Sequence, residues 1–180
     1  MIHLYAEPGA VISWDEFIQT KPPYSIALDG YVNDASDMDL SGPYLNIDHH
    51  AGVNRLITRS TCAQVYLAIS LGLYKLFQKD GQPYANVYVN DCDQDVCLSC
   101  WLLMNPDKLD DLFAHDNIMR LIVGEDFLDA TAGAYPIDLT RDMVRQSFWM
   151  FEPYTNARDH ADLKTFSSNQ VVELIEQVCE

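Results

Sequence analysis

The chain has 180 residues, 48% of them hydrophobic and 21% charged, which is ordinary for one globular domain spanning residues 1–180. Its net charge of −16 disfavours duplex DNA and anionic membrane surfaces as partners, because both attract basic proteins. No apolar run approaches the roughly 20 residues of a membrane span. The N-terminus lacks the basic and apolar regions of a signal peptide, so a cytoplasmic location is expected.

Short apolar runs predict the strands. Residues 2–5 could form a first strand, and Ser13 with Glu16 resembles a helix start that Pro22-Pro23 ends. Residues 25–28, 44–47 and 86–90 are predicted as strands, and the polar residues 33–39 as a loop.

Helices are predicted between and after these strands. Apolar residues at helical spacing favour helices at 60–78 and 96–104, followed by a helix from 105 to about 124 and a loop at 130–136. Two helices, about 140–151 and 169–179, are expected to close the chain. The alternation predicts an α/β fold with a mainly parallel sheet flanked by helices.

Each of the three central strands is followed by acids or histidines. The carboxyl ends of parallel strands meet at one edge of a sheet, where ligands bind in open α/β folds. The residues concerned are Asp29, then Asp48, His49 and His50, then Asp91, Asp93 and Asp95. Taken singly, Asp29-Gly30 could be a plain turn and residues 91–95 a solvated acidic turn. A calcium loop would need a later Gly and Glu that are absent.

Carboxylates gathered at one place repel one another unless a cation neutralises them. Carboxylate and imidazole ligands without thiolate suit Mn²⁺, Mg²⁺ or Fe²⁺ better than structural zinc. Two such ions about 3.5–4 Å apart, bridged by one carboxylate, could activate water and hold a phosphoryl oxygen.

The run Asn46-Ile47-Asp48-His49-His50 resembles the signature of the DHH phosphoesterase superfamily, which includes exonucleases, cyclic-dinucleotide phosphodiesterases and manganese-dependent pyrophosphatases. The family's lone aspartate after a strand resembles Asp29, and its Asp-x-Asp motif resembles 93–95. A further downstream aspartate could be Asp129 or Asp126. The resemblance covers about residues 25–135, with the C-terminal helices at 140–180 outside it.

The resemblance implies roles for these residues and a pair of divalent ions, with manganese as the first choice. Asp29 would bridge the ions and His50 would face the substrate phosphate, while Asp48 would orient the imidazoles. Arg55 or Arg59 could take a phosphate oxygen, although a solvated loop is the simpler interpretation of both. One ion would be held by Asp91 and Asp93, and the other by His49, Asp95 and Asp129. The implied activity is hydrolysis of a phosphodiester or phosphoanhydride in a small nucleotide-like substrate.

Two departures from the family pattern matter. The Asp-x-Asp motif comes last of the three motifs here, although it opens the family domain, so the strand order is expected to differ. Asp91 stands where the family has a histidine. The family's second, substrate-binding domain has no counterpart, so substrate choice cannot be carried over. A catalytically silent metal- or nucleotide-binding relative, acting as an interaction module, is therefore an alternative.

Other hydrolase classes fit the sequence less well. His115-Asp116 resembles the pair of HD-type phosphohydrolases but lacks an evident upstream histidine ligand. Residues 91–93 resemble the nucleophile motif of haloacid-dehalogenase-like enzymes, but Asp95 replaces the usual Thr or Val. The odd number of cysteines, five, argues against a disulfide framework, and the CxxC at 97–100 is interpreted as buried thiols on a helix.

Overall fold

The computed structural model describes residues 1–111, 114–134, 138 and 141–179. Five strands form one mixed sheet in the order β1-β7-β2-β4-β3, and two further strands form a separate hairpin. The strands are β1 (Ile2–Ala6), β2 (Ser25–Leu28), β3 (Asp37–Asp39), β4 (Tyr44–Ile47), β5 (Gln78–Lys79), β6 (Gln82–Pro83) and β7 (Ala85–Val89).

Four of the five sheet strands run parallel, which confirms the predicted α/β class with a mainly parallel sheet. In the register, Ile26 of β2 lies between Leu45 of β4 and Val87 of β7. The exception is β3, which pairs antiparallel with β4 at the edge. The prediction of a loop throughout 33–39 was therefore wrong for 37–39, where pairing with β4 overrides a polar sequence.

The helices are α1 (Trp14–Thr20), α2 (Thr61–Ser70), α3 (Leu73–Leu76), α4 (Gln94–Met104), α5 (His115–Ala130), α6 (Asp142–Met150), α7 (Glu152–His160) and α8 (Ser168–Cys179). Short 3-10 helices span Pro106–Leu109 and Leu163–Thr165. Ser13 caps α1 as predicted, accepting a hydrogen bond from Glu16 N. Residues 112–113, 135–137 and 139–140, within the predicted helix at 105–124, the loop at 130–136 and the helix at 140–151, lie outside the described residues.

Two helix predictions were wrong in extent, and one helix was not predicted. The helix expected at 60–78 stops at Ser70, because Gly72 adopts a left-handed conformation (φ +97°) that no continuous helix accommodates. The helix expected to end near Gly124 instead continues through that residue to Ala130. Between the two expected C-terminal helices the chain forms α7, whose nine residues are mostly polar.

Alternating strand residues build two apolar layers, one on each face of the sheet. Ile26, Leu28 and Val87 belong to the main core with residues of α2, α4, α5 and α8. Ala27 and Tyr88 face the other side, where Phe17 of α1 covers them. Because both faces are packed, the exposed polar ends of the strands are where a site can form.

Among the described helices, none combines the length and apolar character that crossing a bilayer demands.

Candidate metal centre

The turn after β2 presents Asp29 at the carboxyl edge of the sheet. Asp29 N–H donates to Ile47 O (3.0 Å), which continues the ladder with β4. The chain then turns sharply, with φ +51° at Asp29 and +80° at Gly30. The side-chain amide of Asn90 donates to Gly30 O (3.0 Å) and so fixes this turn to the end of β7. A non-glycine residue with positive φ is uncommon and clusters at functional sites.

Both histidines that follow β4 reach the Asp29 carboxylate. His49 Nε2 lies 3.2 Å and His50 Nε2 3.0 Å from Asp29 Oδ1, and the two ring centroids are 4.2 Å apart. The His49 side chain is 1% exposed, whereas that of His50 is 45% exposed. The first ring therefore belongs to the buried centre, and the second lies where solvent or a ligand can meet it.

The acids after β7 are positioned by helix N-termini. Asp93 caps α4, accepting from Val96 N (2.9 Å) through Oδ1. Asp95 accepts from Thr61 N and Cys62 N (2.7 Å each), the first backbone donors of α2. Helix N-termini favour negative charge, so these contacts offset part of the cost of burying the two carboxylates.

Asp129 comes from the last turn of α5 and not from a strand end. Its Oδ2 lies 2.9 Å from His49 Nε2. Asp126, the other candidate for the downstream ligand, points elsewhere: Oδ1 accepts from Ser60 N (2.7 Å) and Oδ2 pairs with Arg59. The structure thus brings Asp129 to the centre and gives Asp126 a supporting position at the start of α2.

All six residues expected to bind metal fall into overlapping groups. Within each group the possible ligand atoms lie within 4.8 Å of one another. The groups are Asp29 with Asp91 and Asp93, Asp29 with His49 and His50, and His49 with Asp95 and Asp129. Two of the three groups share Asp29, which therefore stands between the acids after β7 and the imidazoles. The donor set can hold a metal ion on geometry alone.

Among the described residues, two buried atoms in the centre lack a hydrogen-bond partner: His49 Nε2 and Asp129 Oδ2. Carboxylate oxygens of Asp29, Asp129 and Asp95 lie 2.9–3.7 Å from His49 Nε2, within ion-pair distance. Buried polar atoms are normally satisfied, so these two point to a ligand between them. A cation accepting both lone pairs fits this arrangement.

Charge in the centre is unbalanced. Burial, followed by the Asp29 charge, raises the pKa of Asp95 to about 7 and also raises that of Asp93. Burial alone would also raise the pKa of Asp29, but its contacts with His49 and His50 hold that pKa well below the usual range. Burial would lower the pKa of His49, but Asp129 and Asp29 raise it to about 10. The carboxylates thus compete for too little positive charge, which a divalent cation would supply.

Of the two arginines expected to bind phosphate, Arg55 borders the centre and Arg59 does not. Arg55 Nη1 donates to His50 Nδ1 (3.2 Å) and its Nη2 to Asp129 O (3.3 Å), so it borders the centre with a side chain 40% exposed. If Nδ1 accepts this bond, Nε2 carries the proton of neutral His50 and donates to Asp29. Arg59 turns away to Asp126.

The Asp48 carboxylate contacts the turn that follows β4. Its Oδ2 accepts from Ala51 N (2.9 Å), and its buried Oδ1 has no hydrogen-bond partner among the described residues. Its backbone is fixed by Ser36 Oγ, which accepts from Asp48 N (3.0 Å). Asp48 therefore shapes the turn that presents the imidazoles, and the role of its carboxylate in orienting them stays a prediction.

Sequence reasoning missed two residues of the centre. Thr61 is fully buried and donates from Oγ1 to Asp29 Oδ1 (2.8 Å). Glu125 is buried on α5, where burial and then the Asp95 charge raise its pKa to about 8. The Ser60-Thr61 pair was visible as a helix start, but nothing local indicated that this start would face a carboxylate from another strand.

No protein-family model matches the chain, and neither does any curated protein or solved structure.

Proposed function

We propose that this protein is a divalent-metal-dependent phosphoesterase that uses two ions, with Mn²⁺ as the first choice and Mg²⁺ or Fe²⁺ as chemically compatible alternatives. The observation that carries the proposal is the sharing of Asp29 between ligand groups from separate chain segments. A carboxylate with two oxygens can bridge two cations, and two-ion centres of this kind serve phosphoryl chemistry.

In this proposal the ligands divide by their position around Asp29. Asp91 and Asp93, which group with Asp29, would hold one ion. His49, Asp95 and Asp129 form a second group and would hold the other ion, with His49 Nε2 3.2 Å from Asp29 Oδ1. When bound, the two ions supply Lewis acidity for a phosphoryl oxygen and lower the pKa of water. Asp29 also accepts from Thr61 Oγ1, which leaves its carboxylate in one fixed orientation.

Phosphate recognition falls to the residues at the exposed border of the centre. Arg55 carries several N–H donors on a planar group suited to phosphate oxygens, and its side chain is partly exposed. His50 lies beside it with one ring nitrogen directed at Asp29. On closing over a phosphate, Arg55 could exchange its contact with His50 Nδ1 for a phosphate oxygen, which would leave the imidazole able to hold or transfer a proton.

The resemblance to the DHH phosphoesterase superfamily supports this proposal in spite of the altered motif order. A pocket at a sheet edge depends on where strand ends meet and not on the order in which the chain visits them. The exposed Asp91 in place of a histidine offers oxygen instead of nitrogen, which a hard cation such as Mn²⁺ or Mg²⁺ accepts.

The substrate class follows from charge. With 27 acids against 11 lysines and arginines, the net charge of the chain disfavours a long nucleic-acid backbone as substrate. The class that fits this charge is a small phosphorylated substrate bound by the metal ions and by one or two arginines.

Turnover tests the proposal directly. The protein is incubated with Mn²⁺ and a panel of bis(p-nitrophenyl) phosphate, inorganic pyrophosphate and short oligonucleotides. Asp93→Asn removes a metal ligand yet keeps a good helix cap, and should abolish hydrolysis. Asp15→Asn makes the same change at an exposed position of α1 and should leave the rate within about twofold, as surface substitutions do. Absence of turnover across the panel with any divalent ion would contradict the proposal.

A metal-binding module without activity is the second candidate, and the substitution of histidine by Asp91 favours it. It predicts that Mn²⁺ raises the melting temperature of the native protein but not of Asp93→Asn, with no hydrolysis in either. Melting and turnover measured on the same samples separate the two candidates.

A further inference from the structure

A cavity of about 460 Å³ lies directly beside the acids that follow β7. Asp91 and Asp93 line one end of it. The remaining wall comes from the loop after β1 and from the C-terminal helices, and includes Pro8, Tyr154, Leu163, Lys164 and Val171. We call this cavity the C-terminal cleft. Its volume lies in the range of small-molecule sites, which is roughly 300–1,000 Å³.

The walls of the C-terminal cleft are apolar and firmly held. Val171 of α8 is 1% exposed and belongs to the main core, and Tyr154 and Leu163 pack against that core. The Tyr154 ring lies 5.5 Å from the Arg158 guanidinium. Burial and then the Asp93 charge raise the pKa of Tyr154, which is consistent with a hydroxyl near the acids. An aromatic ring on a rigid apolar wall offers a flat surface for another ring to stack on.

Lys164 supplies positive charge at this cleft. It lies in the 3-10 helix Leu163–Thr165, whose start is capped by Asp162 accepting from Lys164 N (3.1 Å). In the part of the chain that the structure describes, its ammonium forms no ion pair, although the chain carries a net charge of −16. An unpaired cation next to metal-binding acids is suited to an anion that also contacts the metal.

We propose that the C-terminal cleft binds the nucleoside of a nucleoside-phosphate substrate, with its base on Tyr154 and Leu163 and its phosphate between Lys164 and the metal held by Asp91 and Asp93. The inference rests on the proposed phosphoesterase function and deepens it by assigning the nucleoside to a site formed largely by the C-terminal helices, which lie outside the family resemblance. Inorganic phosphate or pyrophosphate would use the acidic end alone and leave the apolar wall without a partner. A ligand that is anionic at one end and flat and apolar at the other uses the whole cavity.

Equilibrium dialysis of the Mn²⁺-loaded protein tests this assignment without relying on turnover. Adenosine 5′-monophosphate and inorganic phosphate are the two probes, and the ratio of their affinities is the readout. The nucleotide should bind at least about tenfold more tightly than phosphate, since stacking of one base is worth roughly that factor or more. Tyr154→Ala should bring the ratio close to one.

Lys164→Ala provides an independent test at an exposed position where folding is not at stake. It should weaken nucleotide binding severalfold. Lys108→Ala, an equivalent charge change in the other 3-10 helix and away from the cleft, is the matched control and should leave nucleotide affinity unchanged.

The outcomes separate this inference from the proposed function. Phosphate that binds as tightly as the nucleotide overturns the cleft assignment alone. Tight nucleotide binding that survives both Tyr154→Ala and Lys164→Ala places the nucleoside elsewhere and also overturns it. If neither probe binds in the presence of Mn²⁺, the phosphoesterase proposal fails as well.

Discussion

Two Asp-Gly turns in this protein have nearly the same φ angles but different surroundings. Asp29-Gly30 has φ values of +51° and +80°, and Asp80-Gly81 has +52° and +74°. Asp80 sits in the two-residue connection of the hairpin β5–β6 and is exposed. Asp29 ends a buried parallel strand, is 5% exposed, and contacts two imidazoles and a threonine.

The comparison shows that the local dipeptide does not determine which turn belongs to a site. Asp-Gly supplies two residues that tolerate left-handed backbone, as a tight hairpin turn requires and as a sharp turn after a strand also requires. What differs is the topology: β2 lies between β4 and β7, so whatever follows it meets the residues that follow both neighbours.

The largest difference between the turns should appear in metal binding. Asp29→Asn keeps the side-chain shape and the tolerated positive φ but removes the shared charge. We expect its Mn²⁺ affinity to fall about 100-fold or more, since even supporting residues around metals cost 10–100-fold. Asp80→Asn should remain within about twofold of the native protein in the same calorimetric titration. Equal effects at the two turns would contradict the account.

Arg55 distinguishes the Asp29 turn by giving it a neighbouring cation. Arg55→Ala should lower kcat/KM for a phosphodiester about 10–100-fold, the value of one charge-assisted hydrogen bond, with little change in Mn²⁺ affinity. Arg59→Ala is the comparison, because Arg59 pairs with Asp126 and should affect stability more than turnover. A larger kinetic loss in Arg59→Ala would show that the two arginines have been assigned the wrong way round.

A Thr61 variant tests whether metal binding by Asp29 depends on the hydrogen bond from the buried Thr61 hydroxyl. Thr61→Val leaves Asp29 Oδ1 without the 2.8 Å bond from Oγ1. Metal affinity should fall about tenfold, and the metal-free protein should lose roughly 1–3 kcal/mol of unfolding free energy in urea. At the exposed Thr20, whose Oγ1 bonds only within α1, Thr20→Val should cost less than about 0.5 kcal/mol.

The smallest expected difference lies in the glycines of the two turns. A Cβ at position 30 would meet only His50 Cδ2 at 3.6 Å, an ordinary contact, and at position 81 it would meet nothing within 4 Å. Gly30→Ala and Gly81→Ala should therefore each cost about 1–2 kcal/mol of unfolding free energy from backbone strain alone. If Gly30→Ala cost several kcal/mol more than Gly81→Ala, the Asp29-Gly30 turn would have less room for a Cβ than its geometry indicates.

The sequence predicted the central strands and the site edge because both follow from local pattern. The apolar runs around Ile26 and Ile47 are bounded by polar residues, and parallel strands place their carboxyl ends together. Asp29, His49 and Asp93 could be grouped on that basis before any coordinates were known.

The remaining features depend on contacts between distant segments. Gly124 predicted a helix end, but α5 continues past it to Ala130, and this places Asp129 beside His49. Thr61 was visible only as a helix start, and its contact with Asp29 spans 32 positions of the chain. The C-terminal cleft takes much of its wall from α7, α8 and the 3-10 helix between them. The residues of α7 are too polar for an apolar pattern to have predicted that helix.

The central claim is that Asp29 holds two ions at once. Crystals of the protein grown with Mn²⁺ and measured for anomalous scattering test it most directly. The account predicts two peaks about 3.5–4 Å apart, with Asp29 between them, Asp91 and Asp93 on one side and His49, Asp95 and Asp129 on the other. A single peak, or peaks that do not touch Asp29, would contradict it.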